Sequence, residues 1–443
     1  MLQPAYFQND DQQIKNKVLN YLGRFKTYAF FESHQATVPV TGNRYGFIAM
    51  AGISDEFLSN GHSEPLITLD AFLDKHLDMH NWVFCSLSYD LKNHIEALDS
   101  TGKEIVAFPL IHAFVPQVVV SLDETGLICV HSIKGEAENI YSAIQTCDPF
   151  IVNEPVGFEM THGLSKSQYE KSFNKLMSHI RRGDTYEATL CQQASTKFDD
   201  CDPRFVFAKL REISPNPFSV LYKHNELAAV CSSPERFMRC DFDKVVSQPM
   251  KGTSKRSSNE TEDNLLKSQL AENPKEKSEN VMIVDLVRND LSRIATRGSV
   301  VVEELFGVHT FPTSHQMIST VSCHIEPTTP FSKIIKATFP MGSMTGAPKV
   351  SSMKIIDELE DFKRGLFSGS IGFFAPGKYF DFNVVIRTIL MDLKTKVAVV
   401  SAGGAITFAS QLEDEWNECL VKLKPQLEAI GLKTDDLTNT TKR

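Results

Sequence analysis

Strand-forming runs recur along this chain and are interrupted by helices in no regular rhythm, which removes most fold classes from consideration. Residues 45–51, 82–84 and 117–121 read as short strands. Residues 380–391 and 396–400 read as buried strands rich in Val and Ile, with Arg387 embedded in the first. Residues 165–183, 273–290 and 412–430 read as helices. In the first helix Ser165 and Gln168 have capping-box spacing, and Tyr169, Phe173, Leu176, Met177 and Ile180 form an apolar stripe. Arg181 and Arg182 occupy its last turn, with Gly183 at the stop. Asn273-Pro274 supplies a cap and a first-turn proline for the second helix. A doubly wound sheet needs strict β-α-β alternation, which is absent, so a large α+β fold is expected. A polar, proline-containing segment at 148–155 reads as a linker between an N-terminal region, 1–155, and a second region, 160–435.

Charge and cysteine usage narrow the function. The net charge of −9 comes with no basic stripe, so nucleic acid is not an expected partner. No apolar run approaches the roughly 18 residues of a membrane span, and the first ten residues lack the basic and apolar regions of a signal peptide. The nine cysteines are scattered and include no C-x-x-C pair, which argues against a disulfide framework and fits a reducing cytoplasm. An anionic substrate would therefore have to be held locally, by a metal, an arginine or backbone amides.

Two glutamate pairs offer a local answer. Glu276 and Glu279 share one face of the second helix, and Glu415 and Glu418 share one face of the last. Alone, each pair reads as a solvated face, and Lys422 as an i,i+4 partner of Glu418. Brought together, the pairs would make an oxygen-rich site suited to Mg²⁺.

The sequence around them decides between these readings. Glu276-Lys-Ser-Glu279-Asn-Val-Met-Ile-Val-Asp-Leu-Val-Arg288-Asn289-Asp290 resembles the E-x-x-E stretch of the chorismate-utilising enzymes. Ser233-Pro-Glu235-Arg236-Phe237, His315-Gln316-Met-Ile-Ser319-Thr320 and Gly342-Ser-Met-Thr345-Gly346-Ala347-Pro348-Lys349 match further motifs of that family. Arg364-Gly365-Leu-Phe367, Ile386-Arg387-Thr388, Ser401-Ala-Gly403-Gly404 and Glu415-Trp-Asn-Glu418-Cys-Leu-Val-Lys422 complete the series in order. The resemblance covers about residues 165–430; the first 150 residues match only loosely. It implies an anthranilate synthase component I-like fold, a large two-layer β-sandwich flanked by helices, with the active site between its layers.

The resemblance also implies roles. Glu279 and Glu418 would ligate Mg²⁺, with Glu276 and Glu415 holding its waters. Arg387 would grip the enolpyruvyl carboxylate of chorismate; on its own it reads as a buried structural arginine. Gly403 and Gly404 would let backbone amides approach a carboxylate; alone they read as a tight turn. Thr345, Gln316, Phe367 and Lys422 fall at substrate-contact positions. Gln316 stands where the family has a histidine and cannot shuttle a proton, while His315, one step away, reads as structural. Phe367 replaces a tyrosine, and Ala405 the third glycine of its run. Glu235 falls at the general acid, which requires a raised pKa; without the family it reads as an ion pair with Arg236.

Within the family, Gln248-Pro-Met-Lys251-Gly252-Thr253 resembles the P-I-K-G-T of the members that aminate chorismate at C4, the aminodeoxychorismate synthases. Other members generally lack this lysine. Lys251 would attack ring carbon C2, and ammonia would then displace it by attacking C4. That requires a neutral amine, which burial and an adjacent Mg²⁺ are expected to favour; the alternative is a surface lysine in a turn. Glu187 occupies the place of a lysine that activates water in the hydroxylating members, so amination is favoured. No G-x-C-x-G nucleophile turn is present, so a separate glutamine amidotransferase subunit is expected to deliver the ammonia. Phe30-Phe31-Glu32-Ser33 and Asn216-Pro217-Phe218 resemble, distantly, the two halves of a tryptophan pocket, which would involve Ser33, Pro217 and Phe218; a plain hydrophobic strand is the alternative. Anthranilate synthase component I chemistry and a non-catalytic chorismate or tryptophan sensor remain as alternatives.

Overall fold

Burial with a period of two organises the strands into layers. Along Thr27–Glu32, Ala29 points into one apolar cluster and Phe30 into another. Tyr222 and Leu221 divide in the same way on Phe218–His224. This sheet is thus apolar on both faces, a pattern that forces packing on both sides. The structure is a computed structural model and describes residues 3–34, 44–61, 64–79, 81–123, 125–132, 135–151 and 157–439.

Among the described residues two antiparallel sheets, of 12 and 10 strands, form the layers. One cluster lies between them, joining Met50 and Tyr222 of the larger sheet to Phe84, Met238 and Phe382 of the smaller. The second cluster lies between the larger sheet and an outer set of helices, including Lys166–Arg182, Pro203–Ile213 and Leu412–Ala429. The α+β sandwich expected from the sequence is therefore the observed architecture. No helix among the described residues is long and apolar enough to cross a membrane.

The strands of the N-terminal region are built into both sheets. Thr27–Glu32 pairs with Phe218–His224, and Val83–Leu87 pairs with Ser370–Ala375. Of the expected linker, residues 152–156 lie outside the described residues.

The three helices form where expected. The Ser165 hydroxyl accepts from the Gln168 amide, and Gly183 ends its helix at φ +82. Asn273 caps Pro274–Ser292 by accepting from the Lys275 and Glu276 amides. The expected strand 380–391 is instead two strands in different sheets. Tyr379–Asn383 lies in the smaller sheet and Thr388–Asp392 in the larger, and the chain crosses between the layers at 384–387. Val384 and Val385 are fully buried in that crossing, so its composition is as apolar as a strand's. Arg387 is accordingly not embedded in a strand: it ends the crossing at φ +54. Gly403 and Gly404 do not form a tight turn either, because Val397–Thr407 runs straight through them as one long strand.

Candidate active site

The two acidic helices converge. The Lys275 ammonium lies 3.8 Å from Glu279 Oε1 on its own helix and 3.6 Å from Glu415 Oε1 on the other. Glu276 leans on Gly252, where an added Cβ would stand 3.0 Å from Glu276 Oε2. Glu415 and Glu418 lean on Gly404, whose added Cβ would stand 3.0 Å and 3.7 Å from their nearest oxygens. These two glycines are therefore cradles for carboxylates, and Gly252 also needs its φ of +87. Gly403 leaves room for the Cys191 sulfur, 2.5 Å from where its Cβ would be.

Crowding the carboxylates raises most of their pKa values. Burial first, then the Glu187 and Glu276 charges, push Glu279 up to about 7 against the pull of Lys251 and Lys275. Burial also raises Glu276 and Glu415. Glu418 goes the other way: burial pushes it up, but Lys422, Lys251 and Lys275 together outweigh that and hold it low. The Lys422 ammonium sits 2.6 Å from Glu418 and donates to the Gly403 carbonyl at 2.7 Å.

Lys251 lies inside this acidic region. It belongs to Met250–Lys255, a strand with an irregular register to its neighbour, and its side chain is only 11% exposed. Its ammonium donates to Glu187 Oε1 at 2.7 Å. Burial alone would lower its pKa, but the Glu187, Glu279 and Glu418 carboxylates outweigh burial and raise it. Burial by itself therefore does not leave this amine neutral, because the surrounding carboxylates favour its proton. Sequence reading missed this partnership. Glu187 is a carboxylate buried to 1% exposure at the start of the strand Glu187–Lys197, and its burial comes from the packing of the two sheets, which the sequence does not signal.

Glu235 is 4% exposed and does not pair with Arg236. That arginine instead forks onto Asp381, with both contacts at 2.8 Å, and reaches Gln248 at 2.6 Å. Burial pushes Glu235 up to about 7, opposed by the Ser343 hydroxyl and by the Lys251 and Lys422 charges. The Arg387 guanidinium donates to the Lys422 carbonyl at 3.1 Å and has no ion pair among the described residues. Burial lowers its pKa to about 10, with Glu418 opposing.

The remaining substrate-contact candidates are less free. The Gln316 carbonyl accepts from Thr253 at 2.6 Å, and its amide donates to Ser314 at 2.7 Å. The Thr345 hydroxyl faces the Met341 and Gly342 carbonyls at 3.1 and 3.3 Å. Phe367 is packed in the intersheet core at 2% exposure. His315 is tied to Asp263 and Thr310, each at 3.0 Å, as a structural histidine would be.

The donor set fits a hard divalent cation. It consists of carboxylate oxygens, and Glu279 Oε1 is buried without a hydrogen-bond partner. The four glutamates are nevertheless a looser group than a pre-closed cage. Among the described residues, the ligand atoms that all lie within 4.8 Å of one another belong to a different cluster, Glu56, His112 and His224. An open carboxylate set suits a cation that keeps waters and a ligand oxygen.

Far along the intersheet space, Ser33, Pro217 and Phe218 come together around a cavity of about 60 Å³, walled also by Phe31, Tyr45 and Phe373. Pairing of Thr27–Glu32 with Phe218–His224 brings the two sequence segments to one place.

Residues 26–428 match the family described as chorismate binding enzyme. The chain is 40% identical over 273 residues to a protein of Arabidopsis thaliana named aminodeoxychorismate synthase, chloroplastic, covering 60% of this chain and 29% of that one. It is 37% identical over 267 residues to aminodeoxychorismate synthase component 1 of Escherichia coli, covering 60% of this chain and 58% of that one. The chain thus spans less than two thirds of either relative's own length. The crystal structure of anthranilate synthase component I from Streptococcus pneumoniae superimposes with a TM-score of 0.76 at 23% identity, over 89% of this chain and 94% of that one, which establishes the shared fold.

Proposed function

The chain belongs to the family of chorismate binding enzymes, and from that premise we propose that it aminates chorismate at C4 as the ammonia-using component of an aminodeoxychorismate synthase. What carries this reading is the position of Lys251: a buried amine among the glutamates of both acidic helices, 2.7 Å from a carboxylate able to take its proton. The names of the relatives point the same way.

Glu276, Glu279, Glu415 and Glu418 are the residues that would hold Mg²⁺. Bound Mg²⁺ would supply positive charge that neutralises these carboxylates and accepts an oxygen of the substrate's ring carboxylate. Arg387, with no carboxylate partner among the described residues, binds the enolpyruvyl carboxylate through its planar fork. Glu187 takes the proton from Lys251. The freed amine adds to C2, the ring double bonds shift, and the C4–O bond breaks with Glu235 protonating the departing hydroxyl as water. Ammonia then adds at C4, the double bonds shift back, and the C2–N bond breaks, returning its electron pair to Lys251. Glu235 suits the acid role because at a pKa of about 7 it keeps a proton to give at neutral pH.

A separate glutamine amidotransferase subunit supplies the ammonia on this reading. The nine cysteines, all free, suit a reducing cytoplasmic setting. The cavity at Ser33, Pro217 and Phe218 is taken as a pocket for tryptophan, on the strength of its aromatic walls.

The test is incubation of the purified chain with chorismate, Mg²⁺ and an ammonium salt. p-Aminobenzoate should appear only after an aminodeoxychorismate lyase is added. Anthranilate formed directly would refute the assignment, and so would chorismate binding without consumption.

A further inference from the structure

Three residues with no part in the amination chemistry meet at the edge of the sandwich. Glu56 lies on the edge strand Asp55–Ser59 of the smaller sheet, and His112 on its neighbour Ile111–Val115. His224 ends Phe218–His224 in the larger sheet and pairs there with Thr27. The two imidazoles face each other across the gap between the layers, with ring centroids 4.3 Å apart. Glu56 Oε1 is 3.0 Å from His112 Nε2 and 3.7 Å from His224 Nδ1.

We propose that Glu56, His112 and His224 form a Zn²⁺ site that ties the two sheets together. Zinc bonds of about 2.0–2.1 Å in tetrahedral array place ligand atoms about 3.3 Å apart, so the two separations from Glu56 need adjustments of only a few tenths of an ångström, and the two imidazole nitrogens lie within 4.8 Å of each other. Two imidazole nitrogens and one carboxylate oxygen make a borderline donor set, which suits zinc rather than magnesium. The Thr27 hydroxyl, 3.2 Å from His224 Nδ1, or a water completes the four positions.

The surroundings resemble those of built metal sites, in which the second imidazole nitrogen is fixed by an outer partner. His112 Nδ1 contacts the hydroxyl of the fully buried Tyr222, which can accept from it when Nε2 ligates. Burial holds both histidines in the neutral, ligating form, lowering His112 and bringing His224 to about 4. A hydrogen-bond network alone would account for Glu56, His112 and Tyr222. It does not include the contact of His224 Nδ1 with the same carboxylate oxygen, whose 3.7 Å is longer than a hydrogen bond. Glu56 is 28% exposed while His112 is fully buried, so the carboxylate side gives a path in from solvent.

Co²⁺ serves as a visible stand-in for Zn²⁺ in the test. The full chain is stripped with a chelator and titrated with Co²⁺ in excess Mg²⁺, which occupies oxygen-only sites. One Co²⁺ per chain should give the intense visible bands of a tetrahedral centre, and Zn²⁺ should bleach them. Glu56→Gln and His224→Gln should each weaken binding at least tenfold, while Glu279→Gln leaves the bands unchanged. No tetrahedral band in the wild type, or a band untouched by both substitutions, overturns the proposal. Because a variant could misfold, zinc-edge X-ray absorption of the wild type gives a second reading. An imidazole shell at about 2.0–2.1 Å is required, and an all-oxygen shell refutes the site.

Discussion

Replacing Glu235 by glutamine should make the enzyme more stable and nearly inactive, and the size of the gain should depend on pH in a calculable way. Glu235 is buried, and its pKa is pushed from the ordinary 4.5 up to about 7. A carboxyl whose folded pKa is raised contributes stability that is fully present below 4.5 and is lost as pH rises to about 7. At about 1.36 kcal/mol per pH unit, ionising it in the folded protein costs about 3 kcal/mol more than in the unfolded chain. Glutamine has nearly the same shape and no such cost. The variant should therefore gain on the wild type by about 2 kcal/mol between pH 5.5 and pH 8.5, most of it below pH 7.5. Urea unfolding at several pH values, read by far-UV circular dichroism, measures this directly. Chorismate consumption should fall on the order of 10²–10⁴-fold, because the C4 hydroxyl loses its proton donor. A stability difference that does not change with pH would mean that Glu235 titrates normally, and the argument for it as the acid would fail with it.

The other predictions concern its neighbours. Lys251→Ala should abolish the covalent adduct in intact-mass measurements, and an adduct that persists would exclude this lysine as the nucleophile. The same substitution strands the buried Glu187 carboxylate and should destabilise the protein by about 3–5 kcal/mol, most of it recovered in the double variant with Glu187→Gln. Glu279→Gln should raise the Mg²⁺ concentration needed for chorismate binding roughly 10–100-fold, whereas an unchanged requirement would remove it from the ligand set. Gly252→Ala forces a side chain onto φ +87 with its Cβ 3.0 Å from Glu276, and should cost about 1–2 kcal/mol in thermal unfolding together with a lower kcat.

The helices of this fold were legible because their signals are local. Ser165, Gly183, Asn273 and Pro274 act within a turn of where they stand, so the caps could be read and were found. The split of 380–391 was not legible, because an intersheet crossing that buries Val384 and Val385 needs the same apolar residues as a strand. The pairing of Glu187 with Lys251 joins the larger sheet to the smaller one across 64 residues of chain, and only the stacking of the sheets decides it. The Glu56, His112 and His224 cluster draws on three strands with no motif spacing, and its members gave no sign in the sequence.

Lys251 shows most clearly why the local reading falls short. Burial favours the neutral amine, yet the summed field of Glu187, Glu279 and Glu418 reverses that sign. The state of this amine is therefore set by the charge of the whole cluster rather than by its own surroundings. If Lys251 is the nucleophile proposed above, carboxylates that favour its proton would restrain attack until they are neutralised. In that mechanism its activation would follow the arrival of positive charge at the glutamates. On this reading adduct formation requires the divalent cation even when chorismate saturates the site. Adduct formed at full rate in excess chelator and saturating chorismate would disprove that order.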